Sequence, residues 1–351
     1  MSKVATITFH WSANYGAVLQ AYALQRYLLN CGVDTQIIDY LPRRVLLAQA
    51  VSAVKKRHFS YFNKKRKLRR FCKQELRLTK KSYRSNRALH RCRDFDAVIC
   101  GSDQIWNESF TCRAEGKPTL SFYLNFLGDQ TKRIAYSASF GTPKLSAEMQ
   151  KLITPELAKF AKISVREKRG QELLREMKID AELTLDPTML LTAKDYLPLF
   201  EGRKCKAATK VFTYILHKNQ TDAQKVCHMA QRHFGQKEAD GGELFVDLQQ
   251  WLHDLANAEF VVTNSFHGAV FSLLLHKPFV VLPVQNSGMN DRIETLMQAA
   301  GLSERIVTEP DRAQTLFDKP IDWNSVDARL AELRKASEDY LDDVIRNGIG
   351  V

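Results

Sequence analysis

The sequence predicts an α/β protein, and three observations carry that prediction. Short β-type runs are followed by turn residues and then by apolar residues at helical spacing, and this unit recurs along the chain, as in parallel sheets covered by helices. The pattern runs to about residue 190, breaks over 192–209 into a stretch containing Pro, Gly and Lys, and then begins again. A length of 351 residues suits two domains, each able to bury a core.

Taken in order, the first unit is strand VATITFH, turn WSANYG, a helix with Ala17, Ala21, Leu24 and Leu28 on one stripe, and strand TQIIDY. FDAVICG ends at Gly101 and meets SDQIWN. RIAYSAS stops at FGTP, ISVRE turns into the helix-like KRGQELLREM, and LTLDPTML closes the set. The second set starts with KVFTYIL and a helix through QKVCHMAQRHF, followed by a βαβ unit in AEFVVTN, SFHGAVFSLLLHK and PFVVLP. From about Asn324, read as an N-cap, the spacing Leu330, Leu333, Tyr340, Val344 predicts a C-terminal helix. The expected boundaries are an N-terminal domain over 1–195, a C-terminal domain over 205–325 and a terminal helix over 326–351.

With 44% apolar and 10% aromatic residues the composition is that of a soluble globular protein. No window offers the roughly 18 uncharged apolar residues of a membrane span, and the chain enters a β-type run directly, so a cytoplasmic location is expected. Seven cysteines, at 31, 72, 92, 100, 112, 205 and 227, form no CxxC pair and read as reduced thiols. His90 and Cys92 lie in an Arg-rich run that would repel a cation, so no metal site and no cofactor are expected.

The net charge of +13 is uneven. Between Arg43 and Arg93 stand 19 Lys or Arg against one acid, Glu75, so the remainder of the chain is net acidic. One reading is a set of helices with a solvated basic face, since Phe59, Phe62, Leu68, Phe71, Leu76 and Leu78 could supply an apolar side. The other is a basic insertion that docks on something anionic. An acidic membrane surface and its phosphate-linked molecules are preferred, because no nucleic-acid motif accompanies the charge and no nucleic-acid partner is expected.

In parallel sheets ligands collect at the carboxyl ends of strands, where the unusual residues fall. His10, Asn14 and Gly16 follow the first strand; Gly101, Ser102, Asp103 and Gln104 follow FDAVIC; Ser137, Ser139 and Gly141 end RIAYSASFG. In the second half Asn264, Ser265, His267 and Gly268 open a helix, whose N-terminus suits a phosphate or carboxylate. Each has a plainer reading: Asn14 and Asp103 suit caps, and a lone His267 suits a structural hydrogen bond. The same polar chemistry recurring at several strand ends raises the functional reading.

Together HWSANYGAVLQAYALQRYL, FDAVICGSDQIWN, YSASFG, SVREKRG, LDPTML, VVTNSFHGAVFSLLLHKPFVVL and DRIETLMQAAGL resemble the polysaccharide pyruvyl transferase family, in order and over nearly the whole chain. The resemblance implies two Rossmann-like domains facing a cleft in a GT-B-like arrangement. It also implies transfer of the enolpyruvyl carbons of phosphoenolpyruvate onto sugar hydroxyls of cell-surface glycans as a pyruvate ketal. Such chemistry needs one acid, one base and cationic or amide groups for two anionic ends. His267 is the candidate general acid or phosphate ligand, and Asp103 or His10 the base. Arg166 of SVRE is expected to clamp a carboxylate or phosphate with its fork, and Asn264, Ser265 and Gly268 to hold the other anion. Many family members carry an arginine just before the second-domain histidine. Here the order is Asn264, Ser265, Phe266, His267, and Arg292 in NDRIETL is the candidate replacement.

Acceptors belong to the first domain in this resemblance, so Asn14, Tyr15, Gly16, Ser102 and Gln104 are expected on the acceptor side. No G-x-G-x-x-G or G-x-x-x-x-G-K loop is present. Trp11 and Trp106 suit either sugar stacking or core packing. The basic segment is expected to draw in a lipid-linked oligosaccharide, with the protein peripheral to the inner membrane. The competing readings are a GT-B glycosyltransferase that uses a nucleotide sugar and a non-catalytic glycan-binding relative.

Overall fold

The computed structural model of the chain describes residues 2–47, 59–203, 210–216, 221–236, 246–284 and 288–349. Two compact units emerge, residues 1–190 with 333–351, and residues 191–332. Among the described residues the first holds seven strands: β1 (Val4–Ile7), β2 (Thr35–Tyr40), β3 (Leu78–Tyr83), β4 (Ala97–Cys100), β5 (Lys132–Ala138), β6 (Lys162–Val165) and β7 (Glu182–Leu183). Their spatial order is β3-β2-β1-β4-β5-β6-β7, parallel throughout. The order reverses between β1 and β4, so the chain leaves their carboxyl ends in opposite directions and opens a crevice there. His10 and the turn Gly101–Gln104 stand directly after these two strands.

The alternation of side chains along each strand builds two cores. Val98 and Cys100 of β4 join Ala5 and Ile7 of β1 on one face. Ala97 and Ile99 join Val4 on the other, with Leu24 and Leu28 of the helix Tyr15–Asn30 and with Tyr340, Leu341 and Val344 near the C-terminus. Burial on both faces is why these strands read as nearly continuous apolar runs.

Three expectations are corrected here. The C-terminal helix runs Trp323–Asp343 and is capped two residues earlier than expected, because Asp322 Oδ1, not Asn324, accepts the N–H of Ser325 at 3.2 Å. Residues 193–200, read as linker, form the helix Ala193–Phe200; Asp195 accepts the N–H of Thr192 at 2.7 Å and fixes the start despite the internal Pro198. Positions 204–209 of that expected linker, Cys205 among them, lie outside the described residues.

Within the basic segment, positions 48–58 also lie outside the described residues. The helix Phe59–Glu75 buries Leu68, Phe71 and Cys72. LTKKSY is not a further helix but edge strand β3, whose Lys80, Lys81 and Ser82 stay exposed. Lysines on an edge strand discourage pairing with another chain, which accounts for a strand so poor in apolar residues.

Among the described residues the second unit has a three-stranded parallel sheet, β10-β9-β8, from β8 (Val211–Tyr214), β9 (Phe260–Thr263) and β10 (Phe279–Val281). Val226, Phe260, Val262, Val280 and Phe317 fill its core. The buried Arg305 guanidinium donates to the carbonyls of Leu316 at 3.0 Å and Lys319 at 2.6 Å.

Candidate functional site

In the first unit the turn after β4 is organised around Arg166, at the end of β6. Its Nη1 lies 2.6 Å from Asp186 Oδ2, its Nη2 3.2 Å from Asp103 Oδ1, and its Nε 3.9 Å from Glu167 Oε2. Burial alone would pull the guanidinium pKa down, but Asp186, Asp103 and Glu167 outweigh it and hold it above its ordinary value. Arg166, expected to clamp a ligand, thus has its fork committed to acids of its own unit. Asp186 is anchored in turn by the N–H and hydroxyl of Thr188, at 3.0 and 2.6 Å, and by the Ser102 hydroxyl at 2.8 Å. Asp103 is the member that reaches solvent, its side chain 15% exposed against 0% for Asp186.

Asp103 adopts φ +73°, a left-handed conformation that Asp tolerates better than most residues. Its carbonyl accepts the N–H of Ile105 at 2.7 Å and of Ser139 at 3.1 Å, which fixes the turn to the neighbouring strand end. Ser102 and Gln104, expected to meet the acceptor, are buried and serve this internal network; Gln104 Oε1 accepts from Asn107 Nδ2 at 3.2 Å. Gly141, at φ +57°, lies so near that a Cβ there would fall 2.1 Å from Gln104 Oε1. The hydroxyls of Ser137 and Ser139 are buried without a hydrogen-bond partner among the described residues.

After β1, Asn14 Oδ1 accepts the N–H of Gly16 at 2.9 Å and caps the helix Tyr15–Asn30. Tyr15 is buried, with Lys64 Nζ 4.0 Å from its ring centroid. His10 is buried with both ring nitrogens facing acceptors, Nδ1 3.3 Å from the Thr8 carbonyl and Nε2 3.3 Å from Asp39 Oδ1. Ser82 also donates to Asp39. Burial would raise the Asp39 pKa, but the hydrogen bonds from His10 and Ser82 and the nearby Arg84 charge together hold it below its ordinary value. A cavity of about 300 Å³ opens beside His10, Asp39 and Arg84. Trp11 is half-buried against Phe9 at 5.4 Å and lines this cavity, whereas Trp106 is fully buried and stacked on Tyr123, a core residue.

In the second unit the turn after β9 brings the expected residues together. His267 is buried in the first turn of the helix Phe266–Leu274, its ring edge-on to Phe266 at 5.2 Å. Arg292, in the helix Asp291–Ala300, places its guanidinium 5.8 Å from the same Phe266 ring. The Ser265 hydroxyl accepts the N–H of Gly268 at 3.4 Å, and the Ser265 N–H donates to Thr263 Oγ1 at 3.0 Å. Asn264 Oδ1 accepts the N–H of Leu216 at 2.7 Å. A Cβ on Gly268 would lie 2.3 Å from Thr263 Oγ1, so this glycine answers to the close approach of helix and strand, a role not expected of it.

Three acids central to these networks were not anticipated from sequence: Asp39, Glu167 and Asp186. Glu167 Oε1 accepts the N–H groups of Phe140 and Gly141 at 2.8 and 3.2 Å and so holds the FGTP turn. The available signal was position, since Glu167 closes SVRE and Asp186 opens DPT, each just beyond a strand. No cluster of His, Cys, Asp and Glu suited to a metal ion occurs among the described residues. None of their helices is long and apolar enough to cross a membrane.

A family model described as polysaccharide pyruvyl transferase matches residues 14–286. No curated protein matches the chain by sequence. Among solved structures, S. aureus MnaA in a co-structure with UDP is similar at TM-score 0.53 and 11% identity, over 99% of this chain and 96% of that one. A protein of Listeria monocytogenes described as a UDP-N-acetylglucosamine 2-epimerase gives TM-score 0.52 and 10% identity, over 99% and 96%. UGT89C1 of Arabidopsis thaliana, complexed with UDP-L-rhamnose, gives 0.50 and 10%, over 99% and 98%. The likeness shows the fold, an α/β chain of the GT-B type with Rossmann-like units.

Proposed function

The chain belongs to the polysaccharide pyruvyl transferase family, a family of transferases, and we propose that it forms a pyruvate ketal from phosphoenolpyruvate on two hydroxyls of a cell-surface glycan or its lipid-linked precursor. The observation that carries this reading is the family match over 14–286, which includes both the Asp103 turn and the His267 turn.

His267 protonates C3 of phosphoenolpyruvate, C2 takes oxocarbenium character, and the first sugar hydroxyl adds there. The second hydroxyl then displaces phosphate, which leaves with the electron pair of its C–O bond. The two hydroxyl protons pass to the base and to the departing phosphate, and the products are the ketal and inorganic phosphate. Arg292, close to the His267 turn, supplies the positive charge for the donor, with Asn264, Ser265 and the start of the helix around it. Asp103 is the base, because it is the acid of its cluster that reaches solvent, and Arg166 is a positioning residue that aims it. His10, backed by Asp39, with Asn14, Tyr15 and Gly16, belongs to the acceptor side. The protein works at the cytoplasmic face of the inner membrane, where the donor is available.

Thermal unfolding with phosphoenolpyruvate, set beside phosphate, pyruvate and UDP- and GDP-sugars, tests this reading. A ligand at 100 times its dissociation constant stabilises by about 2.7 kcal/mol. Phosphoenolpyruvate should stabilise the protein, the effect should vanish in His267→Ala and Arg292→Ala, and Asp103→Asn should keep it while losing phosphate release onto a glycan acceptor. Stabilisation by a nucleotide sugar alone would replace this reading with nucleotide-sugar transfer, which the UDP bound by the S. aureus relative favours.

A further inference from the structure

One residue of the second-unit site has no task in the reaction above. Phe266 opens the helix Phe266–Leu274 and is only 4% exposed. Its ring meets both side chains assigned to the donor. The His267 ring lies 5.2 Å from it at an interplanar angle of 84°, and the Arg292 guanidinium carbon stands over it at 5.8 Å. A cation within about 6 Å of a ring centroid is drawn to the negative face of the π system. Every residue of this helix is buried, and burial alone asks only for an aliphatic side chain of similar volume at its first position. What the aromatic ring adds is a face for a cation. Arg292 needs such a hold, because its long side chain is rich in rotamers and only half-buried. The backbone beneath it is already fixed. Asn290 clasps Val284 with two hydrogen bonds of 2.9 Å, Oδ1 accepting the N–H and Nδ2 donating to the carbonyl. The Asn290 carbonyl accepts the N–H groups of Ile293 and Glu294 at 2.8 and 2.9 Å. The clasp sets where the Arg292 side chain starts, and the ring sets where its tip lies.

We propose that Phe266 is a positioning residue whose ring face holds the Arg292 guanidinium beside the His267 turn, so that a positive charge is in place before an anionic donor arrives. A charge oriented in advance needs no reorganisation when the anion binds, so the ring contributes to donor affinity without touching the donor. The position just before His267 thus carries no charge of its own and draws one from the helix Asp291–Ala300. The inference rests on the reading above for the identity of the donor, phosphoenolpyruvate, whereas the hold on Arg292 rests on the geometry alone.

The test replaces Phe266 in the full chain by mono-, di- and trifluorinated phenylalanine, which keeps the shape of the ring and drains its face of negative charge in steps. Calorimetric affinity for phosphoenolpyruvate should fall at each step, by about three- to tenfold over the series, while the unfolding midpoint stays put. Phe266→Leu should lower that affinity at least as far. A second measurement needs no ligand. With isotope-labelled arginine, the Arg292 Nε–H resonance, assigned by its absence in Arg292→Lys, should lie upfield under the ring current and return toward its ordinary position in Phe266→Leu. An affinity flat across the fluorinated series, an affinity that falls only together with the unfolding midpoint, or a resonance unmoved in Phe266→Leu would each overturn the proposal. The two readings fail separately. Absence of phosphoenolpyruvate binding in the parent would remove the ketal reaction, and the resonance alone would then decide the hold on Arg292. Binding in the parent with an unmoved resonance would remove the hold and leave the reaction.

Discussion

Arg166 Nη1 and Asp186 Oδ2 lie 2.6 Å apart with both side chains closed to water, and this pair joins the end of β6 to the segment after β7. A buried pair is weak evidence of net stability, but removing Asp186 leaves the buried guanidinium with only Asp103 and the more distant Glu167 and takes away the acceptor of Thr188 and Ser102. Asp186→Ala should therefore lower unfolding free energy by about 3–5 kcal/mol in urea titration. A loss under about 1 kcal/mol would mean that water reaches the pair. Because Asp186 holds Arg166 and Arg166 holds Asp103, the milder Asp186→Asn should also reduce turnover without changing stabilisation by phosphoenolpyruvate.

Gly141 makes a prediction that separates two causes. An alanine there meets Gln104 Oε1 at 2.1 Å and must also hold φ +57°. Gly141→Ala should cost about 2–4 kcal/mol, combining overpacking with left-handed strain. Adding Gln104→Ala removes the clash but not the strain, so the double variant should recover part of the loss against its own Gln104→Ala control. Full recovery would show that the backbone relaxes to negative φ.

Much of the fold was legible because burial on both faces writes itself into the sequence. FDAVICG, RIAYSAS and the βαβ of AEFVVTN to PFVVLP are long apolar runs bounded by turns, and each is the element expected. LTKKSY was hidden because an edge strand shields its outer side with lysine, which looks like the solvated face of a helix. Ala193–Phe200 was hidden by Pro198, whose breaking effect is offset by the Thr192 and Asp195 start. For the candidate site, sequence located the turns but not the partners. Arg166 reads as a clamp until Asp186, remote from it along the chain, is seen against its fork. Gly268 reads as a phosphate contact until Thr263 is seen 2.3 Å from its missing Cβ. Such pairings follow from strand order and register, which local patterns do not encode.

Arg305 should tolerate no conservative replacement. Its guanidinium spans the carbonyls of Leu316 and Lys319, with Pro320 at 3.4 Å, and burial pulls its pKa below the ordinary arginine value. A lysine ammonium is a point donor and cannot span those carbonyls. Arg305→Lys should lower stability by about 2–3 kcal/mol, measured as a shift in the urea midpoint without a change in slope. An unchanged midpoint would indicate that water replaces the fork.

The His10–Asp39 contact predicts how the protein responds to acid. Asp39 titrates lower in the folded chain than in the unfolded one because His10, Ser82 and Arg84 outweigh the effect of its burial. A depressed carboxyl contributes stability that is fully present above the unfolded value, about 4, and is lost as pH falls through the lower folded value. Asp39→Asn should therefore be less stable than the parent at neutral pH, with the two unfolding curves converging as pH drops below about 4. Because the Asp39 side chain is 20% exposed, the difference should be small beside that for Asp186→Ala, and it should shrink in high salt. Thermal unfolding from pH 7 to pH 3 would show this convergence, whereas parallel curves over that range would mean that the carboxylate draws nothing from His10.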